Sequence, residues 1–210
     1  MGALAELYEA IVQGRPVGAE LARQALAEGA APLDVLRQAI GPAMMSIAAG
    51  LEGGEWSRLE LYLAARVAAQ AHGVIAPLLA PTESAGKVVL GTVEGDLDSV
   101  GQEMVQFMFE SAGYAVVDLG VDVSPHQFLS AALEQRADIV ALAASLPTTL
   151  RPLAQTIAAL REGGYRGHVR VLAAGAAVTE RFAALAGADA AAATPAAAAR
   201  VAQSWACGGH

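Results

Sequence analysis

Two carboxylates separated by one residue, Asp96 and Asp98, are the side chains of this sequence best placed to do chemistry. They follow residues 87–93, an apolar and β-branched segment typical of a strand buried on both faces. A helix with an apolar stripe comes next, and Ser99 with Gln102 three residues later has the spacing of a capping box. Ligands bind beyond the carboxyl ends of the strands in an open α/β sheet, so this loop is a predicted ligand site.

The carboxylate pair alone permits several roles. Oxygen ligands suit a divalent cation, and a first-strand aspartate is the nucleophile of dehalogenase-type phosphatases. Glu94 and Gly95 separate the strand from Asp96, however, and no later lysine or paired acid completes such a site. A phosphate-receiver domain is disfavoured too, since the third strand ends in alanine and Lys87 is the only lysine. The simplest alternative is that the carboxylates stabilise the N-terminus of the next helix.

Small and polar residues recur after the other predicted strands. One threonine after the third strand could simply cap the following helix, and the glycine after the fourth could form a plain turn. The alternative is that these small and polar residues contact a ligand, which the backbone can approach closely at a glycine. The residues are Gly120, Val121, Ser145, Thr148, Thr149 and Gly175.

The elements that must position these loops fall into two parts. Residues 1–80 are predicted to form a four-helix bundle, the cap, in which Gly41 and Pro42 kink the third helix. Residues 81–86 are a predicted linker, and residues 87–210 alternate strands with helices. The predicted fold class is α/β, with a five-stranded parallel, doubly wound, flavodoxin-like sheet in the order 2-1-3-4-5. The predicted strands are 87–93, 114–118, 138–143, 168–173 and 189–192.

Composition excludes several functions. With a net charge of −8 and a single lysine, the chain has no basic face for nucleic acid. Charged residues, glycine or proline interrupt every apolar stretch, and the N-terminus has no signal pattern, so a cytoplasmic protein is expected. One cysteine rules out an intrachain disulfide framework. Histidine pairs at metal spacing and a nucleophile elbow are absent from the sequence, so neither a metal site nor an enzyme is predicted.

Four segments carry a family resemblance: GEWSRLELYLAARVAAQ, GTVEGDLDSVGQEMV, YAVVDLGVDVS and VLAAGAAVT. They resemble the cobalamin-binding module of methionine synthase, of methyltransferase corrinoid proteins and of cobalamin photoreceptors, and the resemblance covers nearly the whole chain. It implies a helical cap and a Rossmann-like domain with the cofactor held between them. The family's Asp-x-His-x-x-Gly motif falls on Asp96, Asp98 and Gly101, which puts Asp98 where the family has its cobalt-binding histidine.

Two further family motifs also depart from the pattern. The family's Ser-x-Leu falls on Ala143 and Ser145, and its Gly-Gly falls on Ala174 and Gly175. In the family these positions accept the nucleotide tail of cobalamin, and a methyl group at Ala174 is expected to obstruct it. These departures predict that the cleft still accepts a flat ligand, and they disfavour both cobalt ligation and burial of the nucleotide tail.

From these departures we predict a sensory protein that binds a tetrapyrrole, specifically a photoreceptor holding a linear bilin such as biliverdin, or else cobalamin. Asp98 would hydrogen-bond pyrrole nitrogens, Arg58 or Arg66 would meet propionates, and Cys207 could attach the bilin covalently. The predicted cofactor contacts are Leu51, Trp56, Arg58, Tyr62, Arg66, Asp96, Asp98, Ser99, Gly101, Gly120, Val121, Ala143, Ser145, Thr148, Thr149, Ala174 and Gly175.

Two alternatives stay open at the level of sequence. One is a corrinoid methyl carrier that works with a separate methyltransferase. The other is a cofactor-free interaction scaffold. Self-association or a signalling partner protein is a further expectation, and neither a nucleic acid nor a membrane is expected as a partner.

Overall fold

The computed structural model describes residues 2–79 and 85–207, with the side chains of Glu52 and Arg58 excepted. The chain divides into two compact units, Met1–Thr82 and Glu83–His210, which we call the helical unit and the sheet unit. Most of the predicted linker, residues 81–84, lies outside the described residues.

Apolar side chains at helical spacing build the helical unit. Leu7 and Ile11, one turn apart, are fully buried, as the stripe in the first helix predicts. The last helix starts with a capping box, in which Ser57 N donates to the Glu60 carboxylate at 2.6 Å and Glu60 N donates to Ser57 Oγ at 3.3 Å. The helices are α1 Ala3–Val12, α2 Gly18–Ala27, α3 Pro32–Val35, α4 Gly41–Gly53 and α5 Arg58–Ile75, followed by a 3-10 turn at Ala76–Leu78.

A π-helical turn, Leu36–Ile40, joins α3 to α4 where the sequence predicts a kink at Gly41 and Pro42. The Gly41 N–H bonds to the carbonyl of Leu36, five residues earlier. Pro42 has no N–H, so a regular α-helix would leave a carbonyl oxygen in the preceding turn without a hydrogen-bond donor. In the wider π turn, N–H groups bond to carbonyls five residues earlier instead. The chain therefore runs helically through this region instead of breaking at the proline.

The sheet unit confirms the predicted α/β fold, because its five strands are parallel in the order β2-β1-β3-β4-β5. Val88 pairs with Val116 on one side and Ile139 on the other, which places β1 between β2 and β3. The fourth strand begins later than predicted, since His168 lies in a 3-10 turn. The elements are β1 Lys87–Thr92, α6 Ser99–Ser111, β2 Ala115–Asp118, α7 Pro125–Gln135, β3 Ile139–Ala143, α8 Leu150–Glu162, β4 Arg170–Ala174, α9 Glu180–Ala186, β5 Ala190–Ala192 and α10 Pro195–Ala206, with 3-10 turns at Pro147–Thr149 and Arg166–His168.

Each face of the sheet carries its own apolar core. Phe128 and Ile157 are buried in the core that lies between the sheet and α7, α8 and α9. Val105, Phe109 and Tyr114 fill the opposite core together with small alanines of α10, which let that helix pack close to α6. The rings of Phe109 and Tyr114 meet edge to face at 5.3 Å, and burial raises the pKa of Tyr114. With both faces covered by helices, the loops of this unit lie at the two edges formed by the ends of the strands, and those after β1, β2 and β3 lie at the carboxyl edge.

No helix among the described residues is both long enough and apolar enough to cross a membrane.

Candidate functional site

The Asp96 carboxylate ties the loop after β1 to the loop after β3. It is 1% exposed and accepts hydrogen bonds from Ser145 N at 2.6 Å, from Ser145 Oγ at 2.8 Å and from Asp98 N at 3.1 Å. Thr149 Oγ1 lies 3.0 Å from Asp96 Oδ2 and 2.8 Å from the carbonyl of Leu146, so its single proton serves one of the two. The structure thus brings together Asp96, Ser145 and Thr149, three of the residues predicted separately in the loops after the first and third strands.

This environment keeps Asp96 ionised. Burial alone would raise the pKa of its carboxyl, but the donors from Ser145, Asp98 and Thr149 outweigh burial and hold the pKa below its ordinary value. Because those donors saturate the carboxylate, Asp96 holds the loop in place instead of acting as a nucleophile. In the part of the chain that is described, no group of three or more His, Cys, Asp or Glu side chains is placed to hold a metal ion.

Asp122 connects the same loop to the one after β2. Its Oδ1 accepts from Gly95 N at 2.7 Å, and its own N–H donates to the carbonyl of Asp96 at 3.1 Å. Asp122 adopts a left-handed backbone conformation with φ of 58°, which aspartate tolerates better than most residues. The loops after β2, β1 and β3 therefore form one hydrogen-bonded assembly. Asp122 is not among the site residues predicted from the sequence. Aspartate is a common turn-forming residue, and its position just after Gly120 and Val121 indicates a turn.

Gln102 has a different role from the one its spacing suggests. Instead of completing a capping box with Ser99, its side chain is 2% exposed and turns inward. Its Oε1 lies 3.1 Å from Thr92 Oγ1, and its Nε2 donates to the carboxylate of Asp118, which also accepts from Gly120 N at 2.7 Å. Gln102 therefore links the carboxyl ends of β1 and β2, and a buried amide needs such partners.

Asp98 caps α6, as the simplest sequence interpretation holds. Its Oδ1 accepts from Val100 N at 3.1 Å, while its carbonyl lies 3.3 Å from Thr92 Oγ1. The side chain is exposed at the tip of the loop. Ser99 is the half-buried first residue of α6, and Gly101 is exposed in the first turn.

Apolar side chains stand exposed on each of the three connected loops. Leu97 is 74% exposed, Leu146 48% and Val121 36%. Val121 follows Gly120, whose φ of 78° turns the loop after β2. Because β2, β1 and β3 are adjacent strands, the loops that carry these side chains lie side by side at one edge of the sheet. Exposed apolar side chains grouped at the carboxyl edge of such a sheet indicate a surface that binds a ligand or a partner.

The ends of β3 and β4 are packed closely. Ala143 and Ala174 are paired in register, and both are buried. Gly175 has φ of 121°, and a Cβ added there would overlap the carbonyl oxygen of Ala144, so the backbone requires glycine. The methyl group of Ala174 packs in the apolar core on the α6 and α10 side. Thr148, the remaining predicted contact of these loops, is exposed.

In the helical unit, Trp56 folds back onto the end of α4. A Cβ added at Gly50 would overlap the indole of Trp56, and Trp56 N donates to the carbonyl of Gly50 at 3.2 Å. Trp56 and Leu51 are both half-buried. Glycine at this position thus makes room for one of the two tryptophans of the chain.

The remaining predicted contacts of the helical unit lie on α5. Tyr62 is 46% exposed, and Arg66, one turn further, is also exposed. Arg58 is the first residue of α5, and its side chain lies outside the description. Cofactor contact by these residues stays a prediction. Cys207 is exposed just beyond α10.

The fold and the loop assembly together define a protein with a helical domain and a doubly wound domain whose loops at the carboxyl edge are tied together by hydrogen bonds. Residues 86–202 match a family model described as the B12 binding domain, and residues 3–75 match a second B12 binding domain model. The first match spans more than half of the chain, and the chain belongs to the B12-binding family.

Relatives of similar length are corrinoid proteins. The trimethylamine corrinoid protein 1 of Methanosarcina mazei is 34% identical over 177 residues, which are 82% of each chain. A corrinoid protein of Desulfitobacterium hafniense is 32% identical over 195 residues, 90% of each chain. The solved monomethylamine corrinoid protein of Methanosarcina barkeri superposes with a TM-score of 0.62 at 28% identity, covering 94% of this chain and 95% of that one.

These relatives show that the predicted bilin photoreceptor is wrong, and they favour the methyl-carrier alternative. The roles specific to a bilin are withdrawn with it: Asp98 on pyrrole nitrogens, Arg58 or Arg66 on propionates, and Cys207 as an attachment point. The error came from reading altered contact residues as a change in the class of cofactor. A ligand of this size is enclosed by many residues, so the three altered positions do not by themselves identify the class of cofactor.

Proposed function

We propose that this chain is a corrinoid methyl carrier, which holds a corrinoid cofactor on the carboxyl edge of the sheet unit and serves a separate methyltransferase. The observation that carries the proposal is the exposure of Leu97, Val121 and Leu146 on three loops that Asp96 and Asp122 tie together, in a chain of which both units match B12 binding domains. Corrinoid relatives that align over most of their own length support it.

The residues have distinct tasks in this proposal. Leu97, Val121 and Leu146 would contact one face of the macrocycle, and Asp98 would lie under its centre. Asp96 would hold this surface rigid through Ser145, so that little order has to be imposed when the cofactor binds. The chemistry that a bound corrinoid supplies is the acceptance and donation of a methyl group at cobalt. Preorganised loops, and not a catalytic side chain, are what this chain contributes.

Corrinoid retention tests the proposal directly. Purified protein would be mixed with hydroxocobalamin and separately with biliverdin, desalted and examined by visible spectroscopy. We expect the corrinoid spectrum to be retained at about one equivalent and biliverdin to be lost. The same test is made with cobinamide, the corrinoid without a nucleotide, and a protein that retains neither corrinoid would refute the proposal.

A matched pair of variants locates the site. Leu97→Asp puts a charge where an apolar contact is proposed, and losing the burial of one leucine, roughly 1.5–3 kcal/mol, weakens corrinoid binding about tenfold or more. Leu133→Asp is the control, because Leu133 is a 46% exposed leucine in the last turn of α7, away from the carboxyl edge. Equal losses in both variants would argue against this edge as the site.

Methyl carriage needs its own measurement. The loaded protein, reduced chemically and exposed to isotope-labelled iodomethane in the dark, is expected to keep the label through desalting and to lose it on illumination. Protein without cofactor is the control, and any label that it keeps, for example on the exposed thiol of Cys207, is expected to survive illumination. A loaded protein that takes up no light-sensitive label would contradict the carrier function while leaving corrinoid binding intact.

A further inference from the structure

The residue at the centre of the proposed surface is a carboxylate whose position is fixed by the backbone. Asp98 donates its N–H to Asp96 and its carbonyl lies near Thr92 Oγ1, while Oδ1 accepts from Val100 N. The loop therefore cannot swing Asp98 away without breaking the anchor. Its side chain is exposed and has a second oxygen, Oδ2.

Imidazole is missing from the three connected loops. The chain has four histidines, and among the described residues of the sheet unit these are His126 and His168. His168 precedes β4 and so lies toward the amino ends of the strands, opposite to the loops. His126 is exposed in the first turn of α7, two residues beyond the cap Ser124.

We propose that the cobalt of the corrinoid receives no nitrogen ligand from this chain and that Asp98 is the group facing it. This inference rests on the proposed function. A carboxylate is a harder and weaker ligand than imidazole for a borderline metal, and here one of its oxygens is already engaged by the helix cap. The absence of a strong axial donor favours the reduced cobalt state, which holds no such ligand, so the wild-type protein is easier to reduce than a variant that supplies imidazole.

Electron paramagnetic resonance of the Co(II) form of protein-bound cobinamide tests the inference. Cobinamide has no nucleotide base, so any axial nitrogen splitting in its spectrum must come from the protein. The wild type and Asp98→Asn, which keeps a capping oxygen, are expected to show none. Asp98→His is expected to show nitrogen splitting, which changes when the protein is made with ¹⁵N-histidine. Redox titration is expected to give a more negative reduction potential for Asp98→His.

The outcomes separate the two proposals. Nitrogen splitting in the wild type overturns the inference alone, and its loss in His126→Ala would identify the ligand. Cobinamide bound to Asp98→His without splitting shows that position 98 does not face the cobalt, which also overturns it. Loss of all corrinoid binding in the wild type overturns the proposed function, and the inference falls with it. Should Asp98→His fail to fold, the spectra of the wild type and of Asp98→Asn still decide whether the protein supplies a nitrogen ligand.

Discussion

Replacing Asp96 with asparagine is expected to destabilise the sheet unit without changing its fold. Asparagine keeps one oxygen, which can stay on Ser145 N and Thr149 Oγ1, but its amide then replaces the oxygen that accepts from Asp98 N. The side-chain amide of the asparagine and the backbone N–H of Asp98 would then both be donors and could not bond to each other. The remaining hydrogen bonds would be weaker, because their acceptor would no longer be charged. An unsatisfied buried donor costs about 1–3 kcal/mol, so we expect a total loss of about 2–3 kcal/mol.

The pH dependence of this loss gives the argument a second check. Because the folded protein holds the pKa of Asp96 below its ordinary value, the stabilisation is present above the pKa of an unfolded aspartate. It disappears as the pH falls through the lower folded pKa. The difference in stability between the wild type and Asp96→Asn should therefore be constant near neutral pH and shrink on acidification.

Urea denaturation followed by Trp205 fluorescence in a Trp56→Phe background is a suitable assay, because the chain has two tryptophans and Trp205 lies in α10 of the sheet unit. Glu94→Gln is the matched control, an exposed acid of the same loop, with an expected effect within about 0.5 kcal/mol. An Asp96→Asn protein as stable as the wild type at neutral pH, or a gap that does not shrink in acid, would refute the reasoning.

Three further substitutions test local features. Gly175→Ala places a methyl group against a backbone carbonyl at a residue with positive φ and is expected to cost about 3 kcal/mol or more in the same urea assay. Gly101→Ala adds a methyl group to α6 where no other atom is close, and it should stabilise the protein by about 0.5–1 kcal/mol. Equal effects of the two substitutions would contradict the packing argument. Gly50→Ala should push Trp56 outward and red-shift its emission in a background without the second tryptophan, and an unchanged spectrum would mean that the indole does not rest there. Asp98→Ala removes a cap and should cost about 1 kcal/mol while Asp98→Asn costs little; a loss shared by both would point to the charge instead of the cap.

The sheet was predictable because each of its elements has a local signal that agrees with the global fold. Apolar β-branched runs such as 87–93 fall within a residue or two of the observed strands, and the alternation with helices selects a parallel sheet. The bundle was predictable for the same reason. The π turn at Leu36–Ile40 was not, because the sequence identifies a proline that disturbs the helix but not how the turn before it adjusts.

The loops at the carboxyl edge were predictable by location, and the contacts of each of their residues were less so. Asp98 and Ser99 are both good capping residues, so the sequence alone could not choose between them, and assigning Ser99 misplaced Gln102. The contact from Asp122 to Gly95 depends on two loops that lie 27 residues apart in sequence, and only the pairing of β1 with β2 brings them together. The residue type of Asp122 indicates a turn, but its long-range partner leaves no local pattern in the sequence.

The hydrogen-bonding pattern explains how this edge can keep its structure while its central residue changes. Asp96 directs all of its acceptors to protein donors, chiefly Ser145, so the shape of the loop does not depend on what Asp98 binds. Asp98 in turn contributes to the fold mainly through its backbone and one capping oxygen, which several polar side chains can replace. Substitutions at Asp96 should therefore lower stability and corrinoid retention together. At Asp98, histidine should alter the cobalt spectrum and potential, whereas asparagine should change neither the stability nor the absence of nitrogen splitting. A loss of stability in Asp98→His as large as that in the Asp96 variants would count against this division of roles.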